Sequence, residues 1–127
     1  MKPEELMIGD WVSHEGEPYQ IRQLGIFGEN RDGEDYPAVC VGKPKGIGLI
    51  IERNEIEPIL LTDEILEQNG FERVNGEYQD VFYMCDGIEL LIDNVYTLFG
   101  QYKMPIKYVH ELQHAIRLCK INKEIKL

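Results

Sequence analysis

The sequence predicts an α+β fold: a small bent N-terminal β-sheet or partial barrel, a short central helix, an antiparallel β-meander, and a C-terminal helix packed on the meander. Residues 1–61 alternate short apolar runs with turn residues, which is typical of short strands. The Asn-Gly and Asp-Gly pairs that follow are typical of hairpin turns in a meander. Apolar residues at helical spacing near the C-terminus predict the last helix. The length of 127 residues predicts one domain, 1–127, with a β-rich sub-region 1–61 and a helix–meander–helix sub-region 62–127.

The N-terminal half is predicted to hold four or five short strands. Trp11 and Val12 begin the first, and residues 19–24 return from a turn with strict alternation, which places Leu24 on the face opposite Ile21. Residues 25–37 are rich in Gly, Asp, Glu and Asn, and they predict a polar loop. The remaining strands are expected at 38–41, 47–52 and 56–61, and Pro58 places the last at an edge of the sheet or at its exit from the sheet.

The C-terminal half is predicted to run from helix to meander to helix. Thr62 is a good N-cap, and Gly70 is expected to end the first helix in the left-handed conformation. Asn75-Gly76, Asp86-Gly87 and Asp93-Asn94 are expected to connect three or four antiparallel strands. Pro105 is expected to open the last helix, since proline lacks only an N–H that a first turn does not use. The apolar stripe of that helix consists of Tyr108, Val109, Leu112, Ala115, Ile116 and Cys119.

The charge of the chain argues against nucleic acid as a partner. The net charge is −10, and residues 1–100 carry 7 basic and 21 acidic side chains, or −14, while residues 101–127 carry 6 and 2, or +4. The negative charge of residues 1–100 repels the phosphate backbone of a nucleic acid. The acidity is explained by solubility together with helix-end electrostatics, or by an acidic face that binds a basic protein partner or mimics a nucleic acid.

Composition also bears on the compartment. No stretch approaches the roughly 20 apolar residues of a membrane span, and the start lacks the pattern of a secretory signal. The three cysteines are odd in number and far apart, which is typical of reduced thiols. We therefore expect a cytoplasmic protein without membrane association, and no motif predicts a cofactor.

One motif suggests an enzyme. His110-Glu111-Leu112-Gln113-His114 matches H-E-x-x-H, in which two histidines one turn apart share a zinc ion and the glutamate acts as general base. Chance alone produces this pattern in about one per cent of sequences of such composition.

Three further features weigh against a zinc site here. A catalytic zinc needs a third protein ligand, and Glu124 is the only carboxylate downstream, while His14 lies far upstream. The helical wheel places His110 and His114 opposite the apolar stripe, towards water. Arg117 follows one turn later and disfavours a cation. We therefore predict no catalytic, cofactor-binding or metal residues, and keep His110 and His114 as ligands with Glu111 as base as the alternative.

Two weaker patterns have simpler explanations. Residues 42–48 are rich in glycine and lysine but lack the spacing and the following helix of a phosphate loop, so a hairpin turn is favoured. Six aromatic residues resemble a base-stacking platform, but at strand spacing they are more often core. They are Trp11, Tyr19, Tyr36, Tyr96, Tyr102 and Tyr108.

Three segments carry a resemblance to a known family. They are residues 2–12 (KPEELMIGDWV), residues 57–72 (from EPILLTDEIL to GFE) and residues 106–113 (IKYVHELQ). They resemble a family of short uncharacterised proteins from gut Bacteroidetes genomes, often found in prophages or conjugative elements. The family usually has glutamine and asparagine at the positions of Glu111 and His114. The resemblance therefore implies a packing helix and a mobile-element context, and it implies no activity.

Three hypotheses of function follow from these observations. The first is a non-enzymatic protein–protein interaction module of mobile-element or phage origin, for which a basic protein is a candidate partner. The second is a zinc-dependent hydrolase built on His110, Glu111 and His114. The third is a nucleic-acid-associated small barrel. The sequence does not predict an oligomeric state.

Overall fold

The computed structural model has the predicted α+β class. The structure describes residues 6–43, 45–75, 81–85, 88–92, 97–99 and 104–127. The chain forms two compact units, Met1–Ile59 and Leu60–Leu127. That division falls two residues before the predicted boundary between sub-regions, and the prediction of a single domain stays a prediction.

The first unit contains an open five-stranded antiparallel sheet in the order β4-β3-β2-β1-β5. Its strands are β1 (Trp11–His14), β2 (Glu17–Glu29), β3 (Asp35–Gly42), β4 (Leu49–Glu52) and β5 (Glu57–Pro58), with a 3₁₀ turn at Arg53–Glu55. The predicted first hairpin is confirmed. Glu15 and Gly16, which connect β1 to β2, both have positive φ, as a tight hairpin turn requires. Pro58 lies on the edge strand β5, as predicted.

Strand β2 differs from the prediction in length and in alternation. It continues to Glu29, so the predicted loop at 25–37 is reduced to the five residues between β2 and β3. The register with β3 shifts between Ile21 and Gln23 and again between Gln23 and Ile26. The first shift explains why Leu24 packs on the same apolar cluster as Ile21, against our prediction, because a bulge turns the following side chains to the other face.

An aliphatic cluster forms the main described core of the first unit. Val12, Val41 and Ile56 are almost completely excluded from solvent at its centre. Tyr19 and Leu24 pack against its rim. The other members of the cluster are Leu6, Ile21, Val39 and Ile51.

The second unit contains α1 and a five-stranded antiparallel sheet, followed by α2. The helix α1 spans Asp63–Gln68, and Thr62 caps it by accepting a bond from the Ile65 N–H at 3.2 Å, as predicted. Gly70 follows the helix with φ of +83°. The sheet has the order β10-β9-β8-β7-β6, one strand more than the longest meander predicted. Its strands are β6 (Glu72–Asn75), β7 (Val81–Cys85), β8 (Ile88–Ile92), β9 (Thr97–Phe99) and β10 (Met104–Ile106).

The turns of this meander fall largely on residues that are not described. Gly76, Asp86-Gly87 and Asp93-Asn94 lie outside the described residues. The pairs that flank them are described: Asn75 pairs with Val81, Cys85 with Ile88, and Ile92 with Thr97.

The start of the last helix corrects the prediction for Pro105. This residue pairs with Leu98 within β10, an edge strand, where a missing N–H is tolerated. The helix α2 begins only at Val109 and ends at Leu118. Lys120, with φ of +58°, occupies the left-handed position beyond its end, and the Ile121 N–H donates back to the Ile116 carbonyl at 3.1 Å.

No helix among the described residues is both long and apolar enough to cross a membrane.

Candidate functional site

The two histidines of the H-E-x-x-H pattern lie together on the first turns of α2. Their ring centroids are 5.5 Å apart, and the ring of Tyr108 stacks on that of His110 at 5.8 Å. His110 is only 4% exposed, and His114 is half-buried. The prediction that both point towards water is therefore wrong for His110.

The burial of His110 has a geometric cause. The apolar face of α2 is wider than the predicted stripe, because Gln113 is buried beside Val109 and Ile116. At about 100° per residue, His110 lies at one edge of that wider face and Ala115 at the other.

Glu111 occupies a structural position at the start of the helix. One carboxylate oxygen, Oε1, accepts the N–H of Tyr108 at 2.9 Å and that of Lys107 at 3.0 Å. This is the glutamate half of a capping box, which satisfies N–H groups that have no partner within the helix. The side chain that the pattern assigns to a general base is thus committed to the backbone. A glutamine at this position would also have an oxygen that accepts the same bonds.

A third metal ligand is not available in the described part of the chain. Among the described residues, no group of three or more His, Cys, Asp or Glu side chains is arranged to hold a metal ion. His14, the remaining histidine, lies on β1 in the other unit, with its Nδ1 at 3.1 Å from the Glu55 carbonyl oxygen.

The glycine-rich segment between β3 and β4 is a hairpin connection, as predicted. The strands that it joins are antiparallel neighbours. Arg22 on β2 holds it by donating to the carbonyl oxygens of Lys43 at 2.6 Å and Gly46 at 2.9 Å. Gly42 leaves room for this contact, because a Cβ at its position would overlap the Arg22 guanidinium and displace it.

The described aromatic residues of the first unit do not form an open stacking surface. Trp11 is buried, Tyr19 packs on the aliphatic cluster, and the ring of Tyr36 covers Gly28. Tyr108 belongs to the second unit, and Tyr96 and Tyr102 lie outside the described residues. Burial of Trp11 removes the best stacking side chain of the predicted platform.

The edge strand β4 and the connection that leads into it carry the feature that sequence reasoning missed. Ile47 is 91% exposed, Ile50 59% and Leu49 45%, so three large aliphatic side chains within four residues face solvent. Natural proteins usually protect a sheet edge with charges, proline, bulges or a covering segment. Scattered apolar residues need no explanation, but a contiguous group indicates an interaction site.

An acidic cleft of about 540 Å³ adjoins this edge. Ile50 of β4 contributes to its lining, as do the carboxylates of Glu29, Glu52 and Glu55. Arg31 is the cation in the lining, and His14 lies beside Glu55. Three acids against one permanent cation give the cleft a negative charge.

Comparison of the chain with protein-family models, with curated proteins and with solved structures finds no match.

Proposed function

We propose that this protein is a non-enzymatic protein–protein interaction module and that the edge of β4 is its binding surface. The observation that carries the proposal is the exposure of Leu49 and Ile50 on an edge strand and of Ile47 just before it. An exposed sheet edge binds an extended segment through backbone hydrogen bonds, and the neighbouring side chains add apolar contact.

If the partner is another protein, the negative charge around β4 favours a basic binding segment in that partner. The cleft beside β4 contains Glu29, Glu52 and Glu55, and the whole chain carries −10. Opposite charge speeds encounter and selects the partner more than it adds affinity. A mobile-element or phage origin is part of this proposal and rests on the family resemblance alone.

The two other hypotheses receive less support. A zinc hydrolase would need Glu111 as base, and that carboxylate caps α2. A nucleic-acid barrel would need a basic surface and exposed aromatic residues, whereas Trp11 is buried and the cleft is acidic.

The proposal is tested by comparing two variants in a pull-down from the native host. Ile50→Lys places a charge in the proposed surface, and Ile8→Lys makes the same change at a residue that is 64% exposed before β1. We expect a protein captured by the wild type and by Ile8→Lys but not by Ile50→Lys, and its purified form should bind with the same ranking. Equal capture by all three baits would contradict the proposal.

A further inference from the structure

The apolar exposure at β4 lies on both faces of its sheet. Leu49 pairs with Val41 and shares the face of the aliphatic cluster, whereas Ile50 pairs with Cys40 on the other face. Side chains of a strand alternate between faces, so a partner docked on one face would cover only one of the two. A strand added beside β4 covers both and also meets its outward N–H and C=O groups.

The charges at the two ends of β4 are opposite in sign. Lys43 and Lys45 precede the strand and sum to +2, while Glu52, Arg53 and Glu55 at and after its end sum to −1. Lys43 is partly neutralised by Glu17, whose carboxylate lies 3.3 Å from its Nζ, so Lys45 is the main exposed cation.

This polarity makes β4 complementary to itself in one orientation only. When two copies of a strand pair antiparallel, the start of one lies beside the end of the other. The basic end of each copy then meets the acidic end of its neighbour. A parallel arrangement would place like charges together.

We propose that the β4 edges of two copies of this chain pair antiparallel about a two-fold axis near Ile50, which joins the two first-unit sheets into one. This inference rests on the proposed function and names its partner as a second copy. About that axis Leu49 of one copy lies opposite Ile51 of the other, and the segment with Lys45 before the strand faces the partner's 3₁₀ turn with Glu55 after it. Because β4 has four residues, the contact is small and the association is weak and concentration-dependent.

Sedimentation equilibrium of the purified full chain tests this inference. Over roughly 1 μM to 1 mM we expect a monomer–dimer equilibrium for the wild type and for Ile8→Lys. We expect at least a tenfold weaker dimer for Ile50→Lys, because two lysines would meet at the axis. A wild type that stays monomeric throughout, or equal association of the two lysine variants, would overturn the inference.

A charge exchange tests the orientation independently. Lys45→Glu and Glu55→Lys should each weaken the dimer alone, because each places like charges at both ends of the contact. A one-to-one mixture of the two variants restores both opposite-charge pairs and should dimerise as the wild type does. A mixture no better than either variant would overturn the antiparallel register.

The two proposals fail in distinguishable ways. A monomeric wild type whose Ile50-dependent capture of a different protein persists leaves the proposed function standing and removes the second copy as the partner. A dimer that is insensitive to Ile50→Lys, together with capture that is equally insensitive, removes β4 as the surface for both.

Discussion

Glu111 joins the start of α2 to the two residues that precede it. Its carboxylate accepts the N–H groups of Lys107 and Tyr108, and no intrahelical carbonyl can take that place. The same side chain would have to face a metal-bound water in a zinc peptidase.

Replacing Glu111 separates these two roles. Glu111→Ala should lower the free energy of unfolding by about 1 kcal/mol, the usual cost of a lost helix cap, while Glu111→Gln should retain most of the stability. Urea unfolding measures both, with Glu124→Ala at an exposed position as control. An alanine variant as stable as the control would show that the capping bonds contribute nothing.

Tyr83 is a residue of the described part of the chain whose titration should affect stability. Burial raises the pKa of its phenol, the Asp63 and Glu67 carboxylates raise it further, and Arg73 lowers it. Above about pH 10 the unfolded chain releases this proton while the folded chain retains it. Stability should therefore fall with rising pH in that range, since the unfolded state binds fewer protons.

Tyr83→Phe should remove this contribution. The slope of unfolding free energy against pH above pH 10 should be shallower than in the wild type, by up to ~1.4 kcal/mol per pH unit. Urea unfolding between neutral and alkaline pH measures it, and Tyr36→Phe, at a half-buried position, is the control. Parallel slopes for wild type and Tyr83→Phe would contradict the raised pKa.

At the scale of elements, Arg22 ties β2 to the connection that leads into β4. The guanidinium bridges the carbonyl oxygens of Lys43 and Gly46, and it lies over Gly42. Arg22 and the glycine at position 42 therefore help to hold the connection that leads into the proposed binding edge, while pairing with β3 positions β4 itself.

A double-mutant cycle tests this tie. Arg22→Ala and Gly42→Ala should each lower the free energy of unfolding by about 1 kcal/mol. In the Arg22→Ala background, Gly42→Ala should lower it much less, because its effect is to displace the guanidinium. Gly46→Ala is the control, since a Cβ there meets nothing closer than 3.5 Å. Additive losses in urea unfolding would mean that Gly42 matters for another reason.

Several elements were predictable because their signals are local. Thr62 and Gly70 bound α1 through bonds to residues within a few positions, and the first hairpin follows from alternation and turn residues. The extent of β2 and the strand position of Pro105 were not predictable in the same way. Pairing with β3 and with β9 sets them, and those partners are not encoded in the local pattern.

The candidate site was likewise only partly predictable from the sequence. The aliphatic run from Ile47 to Ile51 predicted a strand, and β4 is one. Periodicity does not distinguish an edge strand from a central one. The exposure of Ile47 and Ile50 could therefore be predicted only with knowledge of the strand order. The signal that could have identified Glu111 as a cap was its place three residues after Tyr108, the last non-helical residue before α2. The expected helix start at Pro105 obscured that spacing.

At the scale of the whole molecule, the net charge of −10 acts on the folded state as self-repulsion. Added salt screens that repulsion, since the Debye length falls from about 30 Å at 0.01 M to 3 Å at 1 M. The free energy of unfolding should therefore rise with NaCl, by an amount on the order of 1 kcal/mol.

Urea unfolding at increasing NaCl measures this effect. The same series with the Glu111→Ala variant should show a parallel rise, because a hydrogen-bonded cap is not the source of the repulsion. Stability that is unchanged or lower at high salt would indicate that favourable local pairs, such as Lys43 with Glu17, outweigh the net charge.

By itself the sequence determined the α+β class, the types of most elements, the cap of α1 and the acidity of the surface. These follow from period, capping chemistry and composition, which act over a few residues or over the whole chain. The tertiary structure alone decided that His110 is buried, that Pro105 lies in an edge strand, and that β4 exposes both its faces. Each depends on which distant segments become neighbours, and no property of a residue's own surroundings in sequence carries that information.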